Sequence, residues 1–300
     1  MRTHRLFGPR GLALPAVALL LVGAAGLCAQ SRVLTVVAAE NFYGDIARQI
    51  GGDRVSVTSI MADPNIDPHE YETSVDDAKA LATADLVIEN GGGYDDWMDR
   101  LLSASPRPSR QLIVGFALSP EKLPDNEHVW YGVDNVGAVA NAIAKSLSRA
   151  LPQSAALFSK NNQVFQRSLA PIKARMAQIA ARWRGAPVGL TETIFLYQTG
   201  PMGLEVLTPF EFQKAVAEGN DPPADAVVET EKQIKERRIR VLIYNEQTSS
   251  AITSRAQDDA RAAGIPVVGV TETMPPGETY QSWMLRQLDE VRMALGGSGS

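Results

Sequence analysis

"VLTVVAAENFYGDIARQIGGDRVSVTSIM", residues 33–61, decides the fold. Its two ends are short, apolar and rich in β-branched residues, whereas "FYGDIARQI" between them carries its apolar residues at helical spacing. The stretch therefore predicts strand, helix, strand. A unit of this kind joins parallel strands through a covering helix, and it recurs. "LVIEN" (86–90) and "LIVGF" (112–116) read as two more strands, with "SVDDAKALATA" as a helix ahead of the first. A second set follows: "APVGLT" (186–191), "RVLIYN" (240–245) and "PVVGVT" (266–271), separated by helical segments such as "TEKQIKERR" and "SSAITSRAQDDARAAG". Near-continuous apolar strands are those of parallel sheets covered on both faces.

Between the sets, from Pro152 to Trp183, no strand signal occurs. Leu157, Val164, Phe165, Leu169, Ile172, Met176, Ile179 and Trp183 recur at spacings of three and four, one face of a helix. A continuous helix here would be about 48 Å long. Pro171 lacks a backbone donor, so it either kinks that helix or marks two shorter helices meeting between Leu169 and Pro171. The fold class is thus α/β, with two lobes, each a mostly parallel sheet flanked by helices, joined by a long backbone helix. The expected organisation is an amino-terminal lobe over 33–150, a connecting helix over 151–184 and a carboxyl-terminal lobe over 185–295.

Both ends of the chain read as segments outside the fold. Arg2, Arg5 and Arg10 precede an apolar run from Leu12 to Leu27, the layout of a secretory signal peptide over 1–29. A membrane anchor is the alternative, but the run is shorter than the ~20 residues of a typical span. Cys28 is the only cysteine, so no intramolecular disulfide forms. It is placed either to carry a lipid anchor or to be discarded when a signal peptidase cuts after Ala29. Both readings put the protein outside the cytoplasm, in the periplasm or on the outer face of the cytoplasmic membrane. The terminal "GGSGS" (296–300) reads as a flexible tail. With 45% hydrophobic and 21% charged residues, the chain can bury a sizeable core. Its net charge of −5 argues against nucleic acid and is compatible with a cationic ligand.

Histidine is scarce: His4 lies in the leader, leaving His69 and His128. In open α/β sheets, ligands bind beyond the carboxyl ends of the strands. His69 falls in the loop after the second predicted strand and His128 after the fourth. Glu192, Glu246 and Glu272 each follow a strand of the second set. Any one of them alone reads as a helix cap or a surface charge. Together, two imidazoles from one lobe and carboxylates from the other form a mixed N/O set suited to Zn, Mn or Fe(II), whereas Ca and Mg prefer oxygen. Four protein ligands close a site, while catalytic zinc keeps a position open for water. Binding and release therefore fit better than catalysis.

"DPHEYETSVDDAKALATADLVIENGGGYDDWMDRLL", "NEHVWYGVDNVGAVANAIAKSL", "LTETIFLYQTGPMGLEV" and "VTETMPPGETYQSWMLRQLDEV" together resemble four motifs of the solute-binding proteins of bacterial zinc and manganese ABC transporters, over about Val33 to Leu295. The resemblance implies that His69 and His128 are metal ligands from the first lobe and that Glu192 and Glu272 complete the set from the second. Glutamate in place of a frequent aspartate at Glu272 is a departure from the family pattern. Glu246, Asp67 and Glu70 are then expected beside the ligands, orienting rings by hydrogen bonds or lowering the local potential. The family also implies an ABC permease as partner, a monomeric protein and no enzymatic activity.

Two other classes compete. A secreted metal-dependent hydrolase would use Glu246 or Glu192 as general base, but no HExxH helix, G-x-S-x-G turn or nucleophilic cysteine is present. A surface adhesin has no dedicated feature in the sequence.

Overall fold

A computed structural model describes residues 1–4, 32–63 and 71–296. Residues 5–29 of the predicted signal peptide, Cys28 among them, the segment 64–70 with Asp67, His69 and Glu70, and all but the first residue of the predicted tail lie outside the described residues.

The first half comprises β1 (Leu34–Glu40), α1 (Asn41–Gly51), β2 (Val55–Met61), α2 (Val75–Thr83), β3 (Leu86–Glu89), α3 (Asp96–Ala104), β4 (Gln111–Val114), α4 (Gly115–Leu118) and α5 (Val133–Ala150). Two helices follow, α6 (Ala155–Ser168) and α7 (Ala170–Trp183). The second half comprises β5 (Pro187–Leu190), α8 (Leu196–Met202), β6 (Glu205–Val206), α9 (Phe210–Ala217), α10 (Ala224–Lys235), β7 (Leu242–Asn245), α11 (Ala251–Ala262), β8 (Val267–Val270) and α12 (Tyr280–Gly296).

The strands pair in two sheets, ordered β2-β1-β3-β4 and β6-β5-β7-β8, and every pairing is parallel. Each predicted strand is present to within a residue or two. The two-residue β6 carries too little pattern to be read from sequence. Both faces of the two central strands of the first sheet, β1 and β3, are buried. Val36, Ala38 and Ile88 join the main core, while Val37, Ala39 and Val87 face a second cluster with Leu81, Trp97 and Met98. Alternate residues of a strand point to opposite faces, so burial on both explains the unbroken apolar runs.

The long helical segment is two helices that meet at Leu169, which keeps right-handed helical dihedrals (φ −78°, ψ −18°). Pro171 falls in the first turn of α7, where its missing N–H is not needed. That position breaks the segment in two instead of kinking a single helix. α6 packs on α1 and α5, and α7 on α8 and α12, so each helix serves a different sheet.

One large core runs through both halves. Phe42 of α1 stacks on Trp130 at 4.8 Å and on Trp283 of α12 at 6.0 Å. Hydrogen bonds bind the same junction. The Asn41 amide donates to Met274 O (2.7 Å) and accepts from Met274 N (2.9 Å), the Tyr280 N–H donates to Asp45, and the Tyr131 hydroxyl donates to Thr271 O. Phe42→Ala should therefore lower the unfolding free energy by about 3–5 kcal/mol, because it opens a cavity between two indoles. Urea denaturation followed by tryptophan fluorescence reads this, and a loss below ~1 kcal/mol would show that the junction collapses around the gap.

Candidate metal centre

Parallel pairing sends the carboxyl ends of each sheet's strands to one edge, and loops leaving those edges carry the polar residues that meet in the core. His128 lies in the loop between α4 and α5 and is fully buried. Asn126 Oδ1 accepts the His128 backbone N–H at 3.0 Å and lies 3.1 Å from ring Nδ1, with Thr193 Oγ1 at 3.4 Å from the same nitrogen. An acceptor at Nδ1 holds the ring proton there and turns the Nε2 lone pair inward, the arrangement that orients a metal-ligating histidine. Asn126 also donates through Nδ2 to Thr193 O at 2.8 Å, tying this loop to the one that follows β5.

Glu192 follows β5 and is buried, as is Glu272 after β8. The Glu272 carboxylate accepts from the Tyr94 hydroxyl at Oε2 (2.9 Å) and from Asn245 Nδ2 (2.5 Å) and Thr248 Oγ1 (3.3 Å) at Oε1. Gln247 Oε1 accepts the backbone N–H of both Glu272 and Thr273, so the loop is fixed at its backbone as well. Burial, and then the carboxylate beside it, push the Tyr94 hydroxyl well above its usual range, so it stays protonated and donates.

One ligand-type atom from each of His128, Glu192 and Glu272 lies within 4.8 Å of the other two, and no other described residues form such a group. A divalent ion bound at about 2.1 Å from each donor can draw together atoms so spaced. Imidazole with two carboxylates suits Mn, Fe(II) or Zn. Three of the four residues expected as ligands are thus brought together, and the fourth, His69, lies outside the described residues, as do Asp67 and Glu70. Glu246 is not beside them. It is exposed and lies against Gly269 of β8, while Asn245, one residue earlier, makes the hydrogen bond to Glu272. Neighbouring residues at a strand end point to opposite sides, so an offset of one residue moves the role to the amide. Tyr94, Asn126 and Gln247 also escaped the sequence reading. Tyr94 stands conspicuously after three glycines, but its partner is 178 residues away.

A family model described as "ZnuA: Zinc-uptake complex component A periplasmic" matches residues 36–294. The chain belongs to this family. Its members are substrate-binding proteins of ABC transporters and not enzymes, which removes the hydrolase reading. Among related proteins, the manganese-binding lipoprotein MntA of Bacillus subtilis (strain 168) is 33% identical over 143 residues, 45% of this chain and 46% of that protein. The iron ABC transporter substrate-binding lipoprotein MtsA of Streptococcus pyogenes serotype M1 is 24% identical over 291 residues, 89% of this chain and 90% of the relative. Among solved structures, the periplasmic zinc binding protein TroA from Treponema pallidum superimposes with a TM-score of 0.75 at 21% identity, covering 88% of this chain and 99% of the other. That likeness establishes the two-lobed fold. Among the described residues no helix is long and apolar enough to cross a membrane.

Tyr94→Phe deletes one hydrogen bond to Glu272 and leaves the ring packed on Trp130 at 4.6 Å. Affinity for divalent metal should fall roughly 10-fold. Isothermal titration calorimetry checks this, and an unchanged affinity would exclude the hydroxyl from the centre.

Proposed function

We propose that the protein captures one divalent transition-metal ion, Mn(II) or Zn(II) with Fe(II) also accommodated, between its lobes outside the cytoplasm and delivers it to an ABC permease for uptake. The observation that carries this reading is the buried meeting of His128, Glu192 and Glu272, donors contributed by loops of both sheets. The names of the relatives support a transition-metal cargo and differ on which one: manganese for MntA, iron for MtsA, zinc for TroA. In this reading His69 is the fourth ligand and brings the set to two imidazoles and two carboxylates. Glu272 serves where an aspartate is frequent, and its longer side chain is steadied by Asn245, Thr248 and Tyr94.

The ion is cargo, so what the chain supplies is a dry, preformed cage. Ligands must shed protons to bind it, and protons therefore compete with metal. The leader over 1–29 exports the chain, Cys28 is the candidate site of a lipid anchor, and the exported protein acts as a monomer. Lobes of 33–150 and 185–295 flank the 151–184 segment, and the hydrogen bonds across their junction favour a small movement on loading.

Three outcomes are expected. His128→Ala and His69→Ala should each abolish tight metal binding and leave the circular dichroism spectrum unchanged; tight Mn(II) binding by either variant would overturn the ligand set. Wild-type affinity should decline between about pH 7 and about pH 5, as imidazoles take up protons, and a flat profile in titration calorimetry would remove histidine from the centre. Elemental analysis of protein from its native host, followed by Zn(II)/Mn(II) competition, identifies the cargo, and protein that neither carries nor binds such an ion would sink the reading altogether.

A further inference from the structure

The strand order of the first sheet reverses between β1 and β3, and the crevice beyond their carboxyl ends is where open α/β sheets hold ligands. Here that place is occupied by carboxyl groups of the protein. Glu40 ends β1 and is fully buried, and among the described residues no neighbour's N–H or O–H donates to either of its oxygens. Asp95, also buried, accepts the backbone N–H of Asn90 and of Gly91, each at 2.6 Å. β1 and β3 pair with Ala38 beside Ile88, which sets Glu40 level with Asn90, and Asp95 accepts the Asn90 N–H, so the two buried carboxyl groups face each other in this crevice. Ionised carboxylates only accept, so this contact needs a proton between them. Asp95 already holds two amide donors and is the better anion; the proton belongs on Glu40.

We propose that Glu40 and Asp95 share one proton and act as a positioning pair for the metal centre, through Tyr94. The protonated Glu40 donates to Asp95, Asp95 closes the turn that starts at Asn90, and the turn presents the Tyr94 hydroxyl to Glu272. Gly91, Gly92 and Gly93 take φ of 71°, 72° and 95°, left-handed values that suit glycine, so the turn has no stiffness of its own from side chains and depends on its anchor. The last link of the chain rests on the metal-binding reading above; the proton-sharing pair does not.

The titratable groups that face Glu40 are Asp95 and Tyr94 from the loop before α3, Glu89 from β3 and Tyr43 from α1, with Asp99 of α3 acting on Glu89. None is cationic. Burial first, and then Asp95, hold the Glu40 carboxyl well above the usual carboxylate range. The folded protein thus keeps a proton that the unfolded chain releases near its ordinary carboxylate pKa. Stability falls as pH rises from that range toward the raised folded value.

The test compares metal-free wild type with Glu40→Gln, whose amide donates to Asp95 at every pH. The gap between their thermal midpoints should widen in favour of the variant by roughly 3 °C per pH unit between about pH 5 and about pH 8. Glu89, pushed up to about 8 by burial and then by Asp95, titrates in both proteins and drops out of the difference. Parallel profiles would overturn the shared proton. For the positioning step, Glu40→Met should lose about 10-fold in Mn(II) affinity by calorimetry, with Glu40→Gln restoring most of it. In a Tyr94→Phe background Glu40→Met should cost little more. Wild-type affinity in Glu40→Met, or losses that add fully in the double variant, would overturn the route through Tyr94. If Glu40→Met fails to fold, a Glu40→Gln affinity that drops together with the flattened pH profile counts equally against positioning. A wild type that binds no Mn(II) or Zn(II) removes the metal reading, while the metal-free comparison still decides the pair.

Discussion

Parallel pairing is the constraint on which the remaining structure depends. In an antiparallel sheet, strand ends of both polarities share each edge; in these two sheets every carboxyl end arrives at the same side, and the loops that leave it must pass through the space between the lobes. That space is closed by Phe42, Trp130, Tyr131 and Trp283, so the strand-end residues that face it, Glu40, Glu192, Asn245 and Glu272, are removed from water whether or not they carry charge. A buried carboxylate is tolerated only with donors, a counter-charge or a proton. The protein uses different answers side by side. Glu272 receives hydroxyl and amide donors, while Glu40 and Asp95 hold on to a proton.

What sequence reveals follows from the range of the interactions involved. Strand and helix periodicities arise within a few residues, which is why "VSVTSIM" predicts β2 residue for residue and why the alternation of elements in both sheets was legible. Helix termination is also local but finely balanced. Pro171 suits a first turn as readily as it opposes an interior one, so periodicity alone left the segment 155–183 undecided. His128, Glu192 and Glu272 were accessible because position after a strand is itself a local property.

The partners of those residues were not accessible, since they are set by which loops meet. Tyr94 reaches Glu272 across 178 positions and Asn41 reaches Met274 across 233. No spacing rule joins such pairs. The exchange of Glu246 for Asn245 has a different origin. A polar residue at the end of β7 was expected, but the strand ended with the neighbouring side chain facing inward, and period-two geometry turns a single-residue offset into opposite outcomes. Buried pairs such as Glu40 and Asp95 are hidden for a further reason: two acidic residues far apart in sequence look like ordinary surface charge until the fold removes the water.

The attachment of Glu272 has a mechanical meaning. Covalently it belongs to the second sheet, and Asn245, Gln247 and Thr248 hold it there, but Tyr94 grips its other oxygen from the first lobe and Asn41 fastens Met274 two residues on. One side chain is riveted from both banks of the cleft. The lobes cannot part without loosening the hydrogen bonds that hold this side chain, so the rigidity of the cleft and the aim of its carboxylate are properties of the same few atoms.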